Sequence, residues 1–353
     1  MMRSILILVV ALQLGFLVAN ARSADAPAAQ KEGRLVVYSS TDSASAEPLL
    51  QDFKSLYPSI QVEYSDLNTT EIYNRFVAEA AAGSGTADFL WSSAMDLQLQ
   101  LINNGNGQPY ASPEIAALPK WAVWQNQAYG TTFEPVTMTY NKRLLPQDAV
   151  PASHADLIRL LKEKSAVFKG KLATFDPEKS GVGFLLATQD LKQSPAFWDL
   201  AKAMGAVDVK VYTSTGAMLE KVSSGEHTLA YNIIGSYGLL RQQKDPSIGL
   251  VFPKDYTLAF SRIAFIPKGA RHPNAGKLFL DYILSKRAQT TMANKSLIYA
   301  LRSDVEGQAT AANLMKEMGK ALKPIEVSPD LLAALDKNKR LDFLKRWQES
   351  LKH

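Results

Sequence analysis

Residues 34–83, RLVVYSSTDSASAEPLLQDFKSLYPSIQVEYSDLNTTEIYNRFVAEAAAG, pass twice from a strand to a helix. The apolar run from Leu35 to Tyr38 reads as a buried strand. The segment after it places Leu49, Leu50, Phe53, Leu56 and Tyr57 on one helical face. Pro48 is expected in the first turn of that helix, where a missing N–H leaves no intrahelical bond unmade. The stretch IQVEYSD repeats the strand signal, and in the second helix Asn68 and Glu71 have capping-box spacing, with Gly83 as the stop. ADFLW and SSAMDLQLQLINNG then supply a third strand and a third helix. Strand and helix alternating three times imply a parallel sheet with crossover helices.

Working outward, the extended, β-branched segment TTFEPVTMTYNKRLL leads from this unit into a second. There KLATFD, VKVYTS, TLAYNIIG and IGLVFP alternate with helical segments, and TLAFSRIAFIPK reads as the strand that returns. The expected architecture is α/β, two lobes each with a central sheet flanked by helices, joined by a hinge of two crossing strands near Phe133–Thr139 and Ala259–Ile263. The expected limits are 33–135 plus 264–353 for the first lobe with the C-terminal helices, and 136–263 for the second. Some 353 residues, of which 46% are hydrophobic, suffice for two cores.

Ahead of this, Arg3, an apolar run from Ile5 to Val18, and Ala19 and Ala21 in A-x-A spacing mark residues 1–21 as a secretory signal peptide. The mature chain is therefore expected in the periplasm, as a monomer. No cysteine occurs, which excludes disulfides, thiolate metal sites and cysteine nucleophiles. The net charge of +5 is a mild excess, and its Lys and Arg residues are scattered among acids, against a nucleic-acid partner.

In open α/β sheets, ligands bind at the carboxyl ends of strands. In the first lobe that edge carries Ser39, Ser40 and Thr41, then Asn68, then Ser92 and Ser93. In the second it carries Asp176, Ser180, Gly181 and Val182, then Thr215, then Tyr231 and Asn232. Each hydroxyl alone is a helix cap. Together they suit an oxyanion held by hydroxyls and backbone N–H groups at helix starts. Arg262, on the returning strand beside the hinge, is the candidate for one full positive charge, with a surface position as the alternative. No His-x-x-x-His, Gly-x-Ser-x-Gly or Gly-x-x-x-x-Gly-Lys-Ser/Thr pattern occurs. No catalytic residue, metal site or cofactor is indicated.

LVVYSSTD, DFKSLYPSIQVEY, ADFLWSS, TMTYN, SGVGF and AFIPKGARHPNAGKLFLDYILS resemble the extracellular solute-binding proteins of bacterial ABC importers. More narrowly, the span from Arg34 to Asp304 resembles the ferric-iron-binding branch of the class II periplasmic binding fold. The resemblance implies two lobes that close on a solute by a hinge and deliver it to an inner-membrane permease. Iron carriers of that branch use two adjacent tyrosines. This chain has LAYNIIGSYG there, keeping Asn232 but with Tyr231 and Tyr237 six residues apart. The turn that binds the accompanying anion is matched by Ser180, Gly181, Val182 and Asn232. The expected ligand is a small organic anion, a phosphate or phosphonate ester or else a carboxylate. The alternatives are a ferric-iron carrier using Tyr231 or Tyr237, and a protein that presents its ligand state to a membrane sensor kinase.

Overall fold

The computed structural model describes residues 24–85 and 87–352, so the expected signal peptide lies outside the described residues. Two mixed sheets form the frame. The first runs Gln61–Asp66, Arg34–Ser39, Phe89–Ser92, Ile263–Phe265, Ala128–Gly130 and Val123–Trp124. Its first three strands are parallel, as the alternation requires, and Ile263–Phe265 lies antiparallel to both its neighbours. The second runs Leu322–Pro324, Thr257–Phe260, Glu134–Asn141, Leu229–Ile234, Leu172–Phe175 and Lys210–Tyr212, with Ile248–Val251 also on Glu134–Asn141.

The chain leaves the first sheet after Gly130 and enters the second at Glu134; it leaves the second after Phe260 and re-enters the first at Ile263. The crossings are bound to each other. The Thr131 amide donates to the Arg262 carbonyl at 3.0 Å, and the Arg262 amide to the Thr132 hydroxyl at 2.9 Å. Two short crossings tied side by side let lobes rotate with few dihedrals changing, which is how hinges work.

Local sequence explains most elements. Asn68 caps Thr69–Ala81 by accepting the Glu71 amide at 2.8 Å, as the expected spacing requires. Helix Ser43–Leu56 starts earlier than its apolar face suggests, so Pro48 lies inside the helix rather than in its first turn. Leu49, Leu50 and Phe53 are buried on the core side, and Phe53 meets Phe279 edge-on at 5.0 Å.

The C-terminal tail departs from the expected division. Helix Lys337–Leu351, assigned with the first lobe by sequence order, packs on the second. Phe343 and Trp347 join Phe184, Phe197 and Trp198 in that core. The reason is apolar area: Trp198 and Phe197 at the outer face of the second lobe need cover, and the tail supplies two aromatics for it.

Candidate functional site

The carboxyl ends of the first-sheet strands face those of the second across a cavity of about 120 Å³. Ser40, Asn68, Ser93, Val182 and Thr215 line it, as do Asp42, Asp66, Thr69, Ser214 and Tyr237. Ser40 Oγ lies 3.2 Å from Ser93 Oγ and accepts the Ser93 amide at 3.0 Å. Thr215 Oγ1 accepts the Ile234 amide at 3.4 Å, which ties the start of helix Thr215–Ser224 to a strand end.

The lobes touch around this cavity. The Val182 amide donates to Thr69 Oγ1 at 3.1 Å and Thr70 Oγ1 donates to the Lys179 carbonyl at 2.9 Å. On the other side, the Asp42 amide donates to the Tyr237 hydroxyl oxygen at 2.9 Å. Gly181 permits the approach: a Cβ there would stand 2.6 Å from Leu97 Cδ1 and 3.2 Å from Thr69 Oγ1. The structure is therefore a closed one, and the Val182 amide, expected to meet an anion, is bonded to a threonine of the opposite lobe.

Other expected residues serve their own backbone. Ser180 Oγ caps helix Gly181–Gln193 by accepting the Gly183 amide at 3.2 Å, and Ser92 Oγ accepts the Ala94 amide at 3.3 Å. Ser39 Oγ accepts the Thr41 amide at 3.0 Å, and Asp176 accepts the Glu178 amide at 2.9 Å. Each satisfies an orphan donor of a turn or helix start, and none of the four lines the cavity.

Three residues need correction. Tyr231 and Asn232 do not face the cleft. They point into the second lobe, where the Tyr231 hydroxyl and the Asn232 amide each donate to the buried Asp190 at 2.8 Å, joined by Tyr256 at 3.1 Å. Asn232 takes a left-handed backbone, φ 60°, to reach it. Arg262 is neither a surface residue nor a free cation. It is fully buried, and its guanidinium forms a two-pronged pair with Glu134, Nε to Oε1 at 2.7 Å and Nη2 to Oε2 at 3.2 Å. Its remaining Nη1 donates to Thr41 Oγ1 at 3.1 Å and to the Ser40 carbonyl at 3.3 Å. A cation in a crossing enclosed by both lobes cannot stay hydrated, so it persists only with a buried counter-charge.

Asp42, Asp66, Thr69, Ser214 and Tyr237 are among the lining residues outside the expected set. Both acids sit at the edge the rule names, since Asp42 follows one strand and Asp66 ends another. Burial pushes the Asp42 carboxyl above its ordinary range; nearby Arg262 opposes the shift and Asp66 adds to it. Burial also drives the Tyr237 hydroxyl far up, against a phenolate at the pH of a cell exterior. Among the described residues no group of three or more His, Cys, Asp and Glu is arranged to hold a metal ion.

This geometry agrees with what the chain is similar to. Residues 49–317 match the family model described as bacterial extracellular solute-binding protein. The chain belongs to that family. A crystal structure of the substrate-binding protein of an ABC transporter from Agrobacterium tumefaciens shares 43% identity at a TM-score of 0.87, over 90% of this chain and 94% of that one. Like these relatives, the chain is a solute-binding component of an ABC transporter, on a two-lobed periplasmic binding fold. A protein of Salmonella typhi named as a putative 2-aminoethylphosphonate-binding periplasmic protein is 26% identical over 178 residues, 48% of this chain and 50% of that one. Two more distant structures share the fold. The binding protein AfuA of Actinobacillus pleuropneumoniae, with fructose 6-phosphate bound, is 20% identical at TM-score 0.76, covering 90% of this chain and 98% of that one. The apo ferric ion-binding protein A of Pasteurella haemolytica is 16% identical at TM-score 0.70, with the same coverages.

Proposed function

We propose that this solute-binding protein works in the periplasm, captures a small phosphate- or phosphonate-bearing solute between its lobes, and hands it to an inner-membrane permease. The observation that carries the reading is the donor-rich interlobe cavity itself, with hydroxyls of Ser40, Ser93, Ser214 and Thr215 along two facing sheet edges. These hydroxyls can hydrogen-bond a polar solute from both lobes at once. The named function of the Salmonella relative and the sugar phosphate in the AfuA structure support the ligand class. Ferric iron is the weaker reading, because Tyr231 is committed to Asp190 and Tyr237 is held protonated by burial.

A thermal-shift screen tests this with 2-aminoethylphosphonate, fructose 6-phosphate, pyruvate and ferric citrate. At a hundredfold excess over its dissociation constant, a true ligand stabilises the fold by about 2.7 kcal/mol. At least one phosphorus compound is expected to raise Tm while ferric citrate leaves the protein colourless and its Tm unchanged. A visible tyrosinate-to-iron band, with no shift from any phosphorus compound, would restore the iron carrier.

A further inference from the structure

The cleft does not end at the Asp42–Tyr237 contact. Behind it lies a second cavity of about 260 Å³ between the same two lobes, which Asp42 and Tyr237 also line. The far side of this outer chamber belongs to helix Gly235–Lys244, where Tyr237, Arg241 and Lys244 recur at helical spacing on one face. Gly216 forms part of the wall, and a Cβ on it would stand 3.7 Å from Asp42 Oδ2, which places that carboxylate beside the wall.

The two chambers differ in charge. The inner one is lined by Asp42 and Asp66 and by no Lys or Arg. The guanidinium beneath it, Arg262, is neutralised by Glu134. The outer one is lined by Arg241 and Lys244, and neither enters a salt bridge among the described residues. Asp42 lines both, so a phosphoryl or phosphonyl group would meet two carboxylates and no cation in the inner chamber, and two cations and one carboxylate in the outer one. Volume points the same way. The inner chamber, at about 120 Å³, is less than half the size of the outer one, at about 260 Å³.

We infer that the solute lies across the Asp42–Tyr237 contact, with its anionic group in the outer chamber on Arg241 and Lys244 and its hydrogen-bond-donating end in the inner chamber toward Asp42 and Asp66. The inference rests on the proposed function and adds an orientation and a pair of anion-binding residues to it. It moves the anion from the turn at Ser180 to the helix Gly235–Lys244.

The test is titration calorimetry of the whole chain with 2-aminoethylphosphonate and phosphoethanolamine, using Arg241→Gln, Lys244→Gln and the double variant. Both side chains reach the surface, so the fold is expected to hold, and ligand-free Tm verifies it. Each single variant is expected to weaken binding about tenfold, as one charge-assisted contact would. In the double variant the dependence of affinity on salt is expected to flatten. Ser180→Ala, which removes a helix cap, is expected to shift affinity less than threefold. Affinity of the double variant within threefold of the parent overturns the orientation while leaving the function in place. If no phosphorus compound binds the parent chain, the proposed function falls and the orientation with it.

Discussion

Replacing Glu134 by Gln keeps shape and volume and removes only the charge that holds Arg262 at the hinge. The carboxylate accepts from Arg262 Nε at 2.7 Å, from Nη2 at 3.2 Å, from the Thr132 hydroxyl at 3.1 Å and from the Ser236 hydroxyl. Both partners have no exposed side-chain surface. A side-chain amide in place of the carboxylate would offer one oxygen and turn an NH₂ toward a crowd of donors, leaving a buried cation uncompensated, at a cost of about 3–5 kcal/mol. Unfolding entropy of about 2.1 cal/mol/K per residue over about 330 residues makes 1 kcal/mol worth about 1.4 °C, so Tm is expected to fall by about 4–7 °C. The apolar double variant Glu134→Leu, Arg262→Met should recover most of this, since it removes both charges together. Solute affinity is not expected to recover, because Arg262 also holds the Ser40 carbonyl and Thr41 hydroxyl in the loop that carries Asp42. Scanning calorimetry reads the stability changes and titration calorimetry the affinity. A fall below about 2 °C in the single variant, or a double variant no more stable than the single, would refute the view that charge compensation holds this hinge.

Asp96 is buried with Oδ2 unpartnered, and burial pushes its pKa up to about 7. Its folded form thus keeps a proton the unfolded chain has lost, so its stabilising effect is complete below about pH 4 and is lost as pH rises through about 7. Asp96→Asn should match the parent in urea unfolding near pH 4 and exceed it by roughly 2–4 kcal/mol at pH 8; equal curves at both would count against it. Asp190→Ala strands the donors of Tyr231, Asn232 and Tyr256, and is expected to cost about 3–5 kcal/mol while solute affinity stays within threefold; a selective loss of affinity would return Tyr231 and Asn232 to the ligand. Gly181→Ala puts a Cβ 3.2 Å from Thr69 Oγ1 and from Ala94 Cβ, and 2.6 Å from Leu97 Cδ1. It is expected to oppose closure by about 1–3 kcal/mol, seen as a larger radius of gyration in small-angle scattering with unchanged urea stability of the open form; a scattering curve identical to the parent's would dismiss that role for Gly181.

The alternation of strands and helices was legible because it is local: Leu49, Leu50 and Phe53 share a face within five residues, and Asn68 caps a helix it directly precedes. The edge of the sheets was legible for the same reason, and it led to Ser40, Asn68, Ser93, Val182 and Thr215, which line the cavity. Which way a polar group turns was not. Ser180 and Ser92 have a nearby orphan amide to satisfy, and nothing in their neighbours distinguishes a cap from a cleft hydroxyl. Strand Leu229–Ile234 is buried on both faces, so no polar alternation shows that Tyr231 points inward. Its partner Asp190 lies 41 residues away, and Glu134 lies 128 residues from Arg262. The first pairing is set by how a helix packs on its sheet and the second by how the two crossings meet, and a reading built on spacing along the chain reaches neither.

The division of strength between hinge and closing surface bears on how a solute acts. The crossings carry a buried, two-pronged ion pair with supporting hydroxyls, which resists any motion that separates Glu134 from Arg262. The surfaces that meet around the inner cavity are joined by neutral hydrogen bonds, Val182 to Thr69, Thr70 to Lys179 and Asp42 to Tyr237. At about 0.5–1.5 kcal/mol net each, these contribute only a few kcal/mol to closure. A ligand shifts a two-state equilibrium by no more than its difference in affinity for the two states. A modest preference of the solute for the closed cleft is then enough to decide the balance, because the contacts it must supplement are weak while the axis they turn about stays fixed.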